Sequence, residues 1–277
     1  MQTSLTGSLG TLGATQVRFI YGFPFALMFL TVATIVAGVS VPAPSASFVA
    51  FTAVGALAQI GGTALLLAAM RERSFSVVTA LSKTEPVQVA LVGLAILGDR
   101  LTVTRLCAII IATGGVMLLA AKPGAKWHVE NVRPVVLGIA SGTLFALAAV
   151  GFRGGILALD QAPFFLRALT TLAWSFAMQS TLLALWMALF ARAALLRSFA
   201  AWRKSLFAGF MGALASQFWF LGFSLTTAAN VRTVGLVEVL FAQAVSRRVL
   251  GQRISGREVA GLVLVVAGIG LLLVGVY

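Results

Sequence analysis

The chain has 277 residues, 60% of them hydrophobic and only 10% charged, with a formal net charge of +13. A soluble domain carries roughly a quarter charged residues, so the composition excludes one and points to an integral membrane protein. In so apolar a chain basic residues mark loops at the membrane face, and the positive balance is not read as nucleic-acid binding.

Stretches free of Asp, Glu, Lys and Arg run 19–70, 106–121, 134–152, 168–191, 205–231 and 259–277. A helix crossing the hydrocarbon needs about 20 mostly apolar residues. The alternation expected of membrane strands is absent, so the fold class is all-α, a polytopic helical bundle. Nine spans are expected, at 16–39, 47–70, 74–97, 103–121, 134–157, 163–190, 204–227, 229–246 and 257–276. Residues 1–15 lack the basic start and apolar core of a cleaved signal peptide. The first two spans are separated at SVPAP, residues 40–44, because proline cannot continue a helix. The third span holds Lys83 and Glu85, and the eighth holds Arg232 and Glu238. A lipid-facing helix would not tolerate such ions cheaply.

The chain is duplicated. Residues 85–119 and 238–272 align without a gap, placing Glu85 on Glu238, Leu97 on Leu250, Gly98 on Gly251, Arg100 on Arg253 and Gly115 on Gly268. Further upstream GALA at 55–58 pairs with GALA at 212–215, and Arg18 stands opposite Arg167. Spans one to four thus correspond to spans six to nine, and the fifth has no counterpart. The expected division is a first repeat at 1–121, a connecting loop at 122–133 and a second repeat at 134–277. A five-helix unit is expected to have lost its first helix in the first copy, either by a misplaced start or by truncation.

The duplicated unit, the polar-then-proline SKTEPVQ centre of its fourth helix, the LGDRLT and LGQRIS junctions and the glycine-bearing helix that follows resemble the EamA-type permeases of the drug/metabolite transporter superfamily. The resemblance covers nearly the whole chain. It implies two inverted repeats around a central pathway, five helices plus five in the family and four plus five here. It also implies a multi-pass protein of the bacterial inner membrane. The chain departs from the pattern at Asp99 and Gln252, where an acidic residue is common in both copies.

Loop charges bear on orientation. The side holding the N-terminus carries Arg71, Arg73, Lys122, Lys126, Arg133, Arg192, Arg197, Arg203, Lys204, Arg247, Arg248, Arg253 and Arg257, against Arg100, Arg105 and Arg153 opposite. The positive-inside rule places the N-terminus in the cytoplasm and Tyr277 outside. The ten-helix relatives are drawn with both ends inside.

Glu85 and Glu238 are the candidate pathway residues, because a carboxylate at mid-span is costly unless it faces water or a partner. Lys83, two residues from Glu85, points to another side of its helix and is not its direct partner. Pro86 removes an amide donor and frees carbonyls in the preceding turn. Arg18 and Arg167 lie near helix ends and can snorkel, while Arg232 can meet an anion or cap a helix. Gln59 and Gln217 sit beside the paired GALA segments, and Trp219, with Tyr21 and Trp174, can line a chamber. The structural alternative is that the glutamates pair with Arg18, Arg167 or Arg232 and hold helices together.

Catalysis finds no support. His128 and Cys107 are the sole histidine and cysteine, so neither a His/Cys metal cluster nor a disulfide can be assembled. No cofactor is expected. The expected function is a secondary carrier that moves a small organic solute, such as an amino acid, metabolite or drug-like compound, by alternating access with a coupling proton. The alternative is a non-transporting membrane protein, either a defunct carrier or an interaction subunit.

Overall fold

The computed structural model describes residues 2–72, 82–120, 133–159, 161–200, 202–241 and 255–274. Outside them lie residues 74–81 of the third expected span, the 122–132 loop with Trp127 and His128, and the 242–254 stretch with Gln252. The described residues contain helices and no strand. The helices are α1 (Gln2–Ala37), α2 (Ala46–Glu72), α3 (Glu85–Leu97), α4 (Val103–Ala120), α5 (Arg133–Leu157), α6 (Phe164–Phe190), α7 (Arg192–Ala200), α8 (Trp202–Leu225), α9 (Ala228–Gly235) and α10 (Gly256–Val274). Six of them are long and apolar enough to cross a membrane, and α3 and α4 are shorter apolar helices.

Three features differ from the expected spans. Helix α1 begins at Gln2, well upstream of residue 16. Arg192 and Arg197, expected in a loop, belong to α7, a nine-residue helix set off from α6 by the non-helical Ala191 at φ −147°. Its RAALLRSFA sequence is rich in good helix formers, which is why it folds on despite its charges. The third and eighth spans are interrupted by two-residue turns, Lys83–Thr84 and Leu236–Val237.

The chain divides into two compact units, Met1–Leu57 with Gly151–Leu225 and Ala58–Val150 with Thr226–Tyr277. The division falls inside α2 and α5, so each expected repeat contributes to both units. In the first unit α1 packs on α6, α7 and α8. Leu30 joins Leu166 and Leu169 in a buried cluster, while Phe19 meets Phe176 edge-on at 5.7 Å. As α1 advances from 19 to 30, its partners on α6 fall from 176 to 166, so the two helices run antiparallel. The start of α2 lies against the end of α5, where a Cβ on Gly151 would stand 2.8 Å from the Gly55 nitrogen.

In the second unit α4 packs on α10 through main-chain contacts that lipid-embedded helices need, since hydrocarbon gives them no hydrophobic drive to associate. A Cβ on Gly115 would lie 2.7 Å from the Gly261 oxygen and 2.8 Å from the Val265 nitrogen. One on Gly268 would lie 2.8 Å from the Ala108 oxygen and 2.6 Å from the Ala112 nitrogen. The alignment that puts Gly115 on Gly268 also puts Ala108 on Gly261 and Ala112 on Val265. Each glycine therefore touches the equivalents of the residues touched by the other. Contacts descend one helix as they ascend the other, so α4 and α10 are antiparallel and related by a local two-fold. Gly114, the neighbour of Gly115, has open space around its would-be Cβ and takes no part in the crossing.

The same register governs the helix starts. Thr102 Oγ1 accepts from the Arg105 amide at 3.3 Å, and Ser255 Oγ accepts from the Glu258 amide at 3.3 Å. In the second copy Glu258 Oε2 returns the favour to the Ser255 amide at 2.7 Å, completing a capping box. Gly98 closes α3 at φ +67°, a left-handed conformation that favours glycine.

Candidate functional site

The turn Lys83–Thr84 follows Ser82, and Glu85 opens α3 with Pro86 as its second residue. Pro86 has no amide to give to the preceding turn, and a proline in the first helical turn costs nothing there. The amides of Val87 and Gln88 close back on the Thr84 carbonyl at 3.2 and 3.4 Å. Gln88 Nε2 donates to Thr84 Oγ1 at 2.8 Å. Gly142 of α5 lies against this knuckle, where a Cβ would stand 3.2 Å from Gln88 Nε2 and 3.4 Å from the Ser82 carbonyl.

In the second copy the helix before the break is capped at its own start. Thr227 caps α9 by accepting from the Asn230 amide at 3.3 Å, and Asn230 Nδ2 donates to Thr226 Oγ1 at 3.0 Å. Helix α9 then ends in the turn Leu236–Val237, and Glu238 begins the next helical stretch. Lys83–Thr84 and Leu236–Val237 are equivalent positions in the alignment. Both glutamates thus occupy the first residue after a break.

The acids find cations across the duplication. Arg232 Nε stands 3.1 Å from Glu85 Oε1, with both side chains largely buried. Lys83 pairs with Glu238, whose side chain is 57% exposed. Helix α9 packs on α3, which brings these four residues together in one unit. Lys83 and Glu85 come from the first copy, Arg232 and Glu238 from the second. The four formal charges cancel locally, each carboxylate being paired with a cation.

The other candidates lie elsewhere. Gln59 is in the same unit, and its carbonyl accepts from Thr63 Oγ1 at 2.9 Å within α2. Arg18, Arg167, Gln217 and Trp219 belong to the first unit. Arg18 Nη2 donates to Ser216 Oγ at 3.2 Å, and its Cγ lies against Gly212. Gln217 is buried on α8, and Trp219 stacks obliquely on Phe223 at 6.3 Å. Arg167 lies half-buried in the first turns of α6. The glutamates pair with Arg232 and Lys83, not with Arg18 or Arg167.

Tyr21 and Trp174 have packing roles. The Tyr21 hydroxyl bonds the carbonyls of Ser198 and Phe199 at 3.0 and 3.2 Å, and Trp174 meets Phe48 edge-on at 5.7 Å. Arg153, counted in the loop bookkeeping, sits inside α5, where its Nη1 donates to the Phe223 carbonyl at 2.8 Å. Sequence reasoning missed Thr84, Gln88 and Asn230, although the first two flank Glu85 and Pro86. Among the described residues no group of His, Cys, Asp and Glu is placed to hold a metal ion.

Comparison with known proteins adds the family. No curated protein matches the chain. Solved structures resemble it, among them a protein crystal structure with a TM-score of 0.72 at 16% sequence identity, covering 98% of this chain and 92% of that chain. That likeness is one of fold. The EamA-like transporter family model matches twice, over residues 1–121 and 134–274. The chain is a multi-pass membrane protein that belongs to the EamA-like transporter family.

Proposed function

We propose that the chain is a secondary carrier for a small organic solute, working by alternating access in the inner membrane of a bacterium, with repeats at 1–121 and 134–277 inverted in the bilayer. The reading rests chiefly on the two crossed ion pairs at matching helix breaks, Arg232 with Glu85 and Lys83 with Glu238. Interrupted helices in corresponding positions of two halves are the sequence-level pointer to a carrier's binding site. The antiparallel course of two equivalent helix pairs, α1 with α6 and α4 with α10, supports the inversion.

In this mechanism the ion pairs close the breaks when the site is empty. Protonation of Glu85 or Glu238, or an ionic group on the solute, releases the partner cation and lets the segment on either side of the turn reorient. Coupling to protons follows, since the same carboxylates take up the proton and the load in turn. The test is uptake into proteoliposomes with and without an imposed proton gradient, screened over amino acids, metabolites and amphiphilic drugs. Gradient-driven uptake should be lost in Glu85→Gln and reduced in Glu238→Gln. Equal uptake by wild type and both variants at every pH sinks the role given to the acids.

A further inference from the structure

Helix α7 occupies the link between α6 and α8, and no part of the transport proposal uses it. Its inward side is made by Ala194, Leu195 and Ser198, the last buried, and packs on α1 and α6. The Tyr21 hydroxyl fastens its end through the Ser198 and Phe199 carbonyls. Its opposite side exposes Leu196 and Phe199 together with Arg192 and Arg197. Beyond its end Trp202 is exposed, and the Arg203 guanidinium lies 5.3 Å from the Trp202 ring centroid.

This combination has one comfortable environment. Water would leave Leu196 and Phe199 without cover, and hydrocarbon would strand Arg192 and Arg197. A short helix that exposes apolar and basic residues together lies at the headgroup level, its apolar residues among the upper acyl carbons. Trp202 has the amphipathic ring that concentrates at the same depth. The charge is one-sided, since no Asp or Glu occurs between residues 161 and 237.

We propose that the outward face of α7, with Arg203, is a binding surface for anionic phospholipid headgroups. Arg192, Arg197 and Arg203 take the phosphate and the negative charge, and Leu196 and Phe199 take the start of the acyl chains. Guanidinium forks suit phosphate oxygens, and each basic residue at a negatively charged membrane surface adds roughly fivefold in affinity. The Tyr21 bond keeps the face turned toward lipid while α1 and α6 hold its other side.

The experiment uses the full-length chain, delipidated in neutral detergent micelles and titrated with phosphatidylglycerol or phosphatidylcholine of the same acyl chains. Native mass spectrometry counts the bound lipid. Wild type should prefer phosphatidylglycerol, and each of Arg192→Gln, Arg197→Gln and Arg203→Gln should lower that preference roughly fivefold. The triple Arg→Lys variant should keep most of it, which separates charge from fold. Unchanged preference in all three single variants overturns the proposal. So does competition by soluble glycerol phosphate as effective as that of the lipid, which would assign a site for free phosphate instead.

Discussion

Glu85 and Glu238 are equivalent residues of the two sequence copies, each stands first after a two-residue turn, and each is neutralised by a cation of the other copy. The second turn forms without a proline, so the break is a property of the repeat and Pro86 only reinforces it. Both pairs lie within one unit, which makes the arrangement testable by stability as well as by transport.

The Glu85 and Arg232 side chains are largely buried, so removing one partner leaves the other charged and uncompensated. Arg232→Met should destabilise the protein by about 3 kcal/mol. Arg232→Met combined with Glu85→Gln should recover most of that loss. Thermal unfolding in detergent micelles measures both. Lys83→Met should cost only about 1 kcal/mol, because Glu238 remains half-exposed. A double variant no better than Arg232→Met would show that the two charges do not depend on one another.

At the α4 and α10 crossing, Gly115→Val and Gly268→Val should each cost about 1–3 kcal/mol, since the added carbons meet backbone on the facing helix. Gly114→Ala should raise stability by roughly 0.5–1 kcal/mol, because the site is open and alanine favours helix. Melting temperatures of the three variants decide the matter. Similar losses at 115 and 268 are the signature of the local two-fold.

Inversion can be read chemically. Val103 and Gly256 are equivalent first residues of α4 and α10, and both are exposed. In a Cys107→Ser background, Val103→Cys should label with a membrane-impermeant maleimide from one side of the bilayer and Gly256→Cys from the other. Labelling of both from the same side refutes the inverted arrangement.

Tyr21→Phe deletes one hydroxyl and leaves the ring. It should cost about 1 kcal/mol and speed hydrogen exchange at the amides of α7, with α1 and α8 little changed. Exchange that is uniform along the chain would mean the bond does not anchor that helix.

Much of this was legible beforehand, for reasons that also mark the limit. Long spans announce themselves because composition fixes the solvent over some twenty residues at a time, whereas α7 is nine residues with two arginines and disappears in such a window. Pro86 gave away one break, but Leu236–Val237 is an ordinary apolar pair and gave no sign of the other. Mid-span acids identify themselves by their cost, yet their partners lie about 150 positions away and only the packing of α9 on α3 selects them. Gly114 and Gly115 differ by a turn of about 100° around the helix, and nothing in their order says which one faces a neighbour.

The crossing of α4 and α10 brings main chain against main chain at Gly115 and Gly268, with Val265, Ala112 and Leu119 packed around it. A residue larger than glycine at 115 or at 268 presses on the same pair of helices from the two ends of one crossing. Two positions that share one steric fate through a common axis should be among the last to diverge after a gene doubles. The Gly115 and Gly268 pair is one of the matches that still carry the register between the two copies.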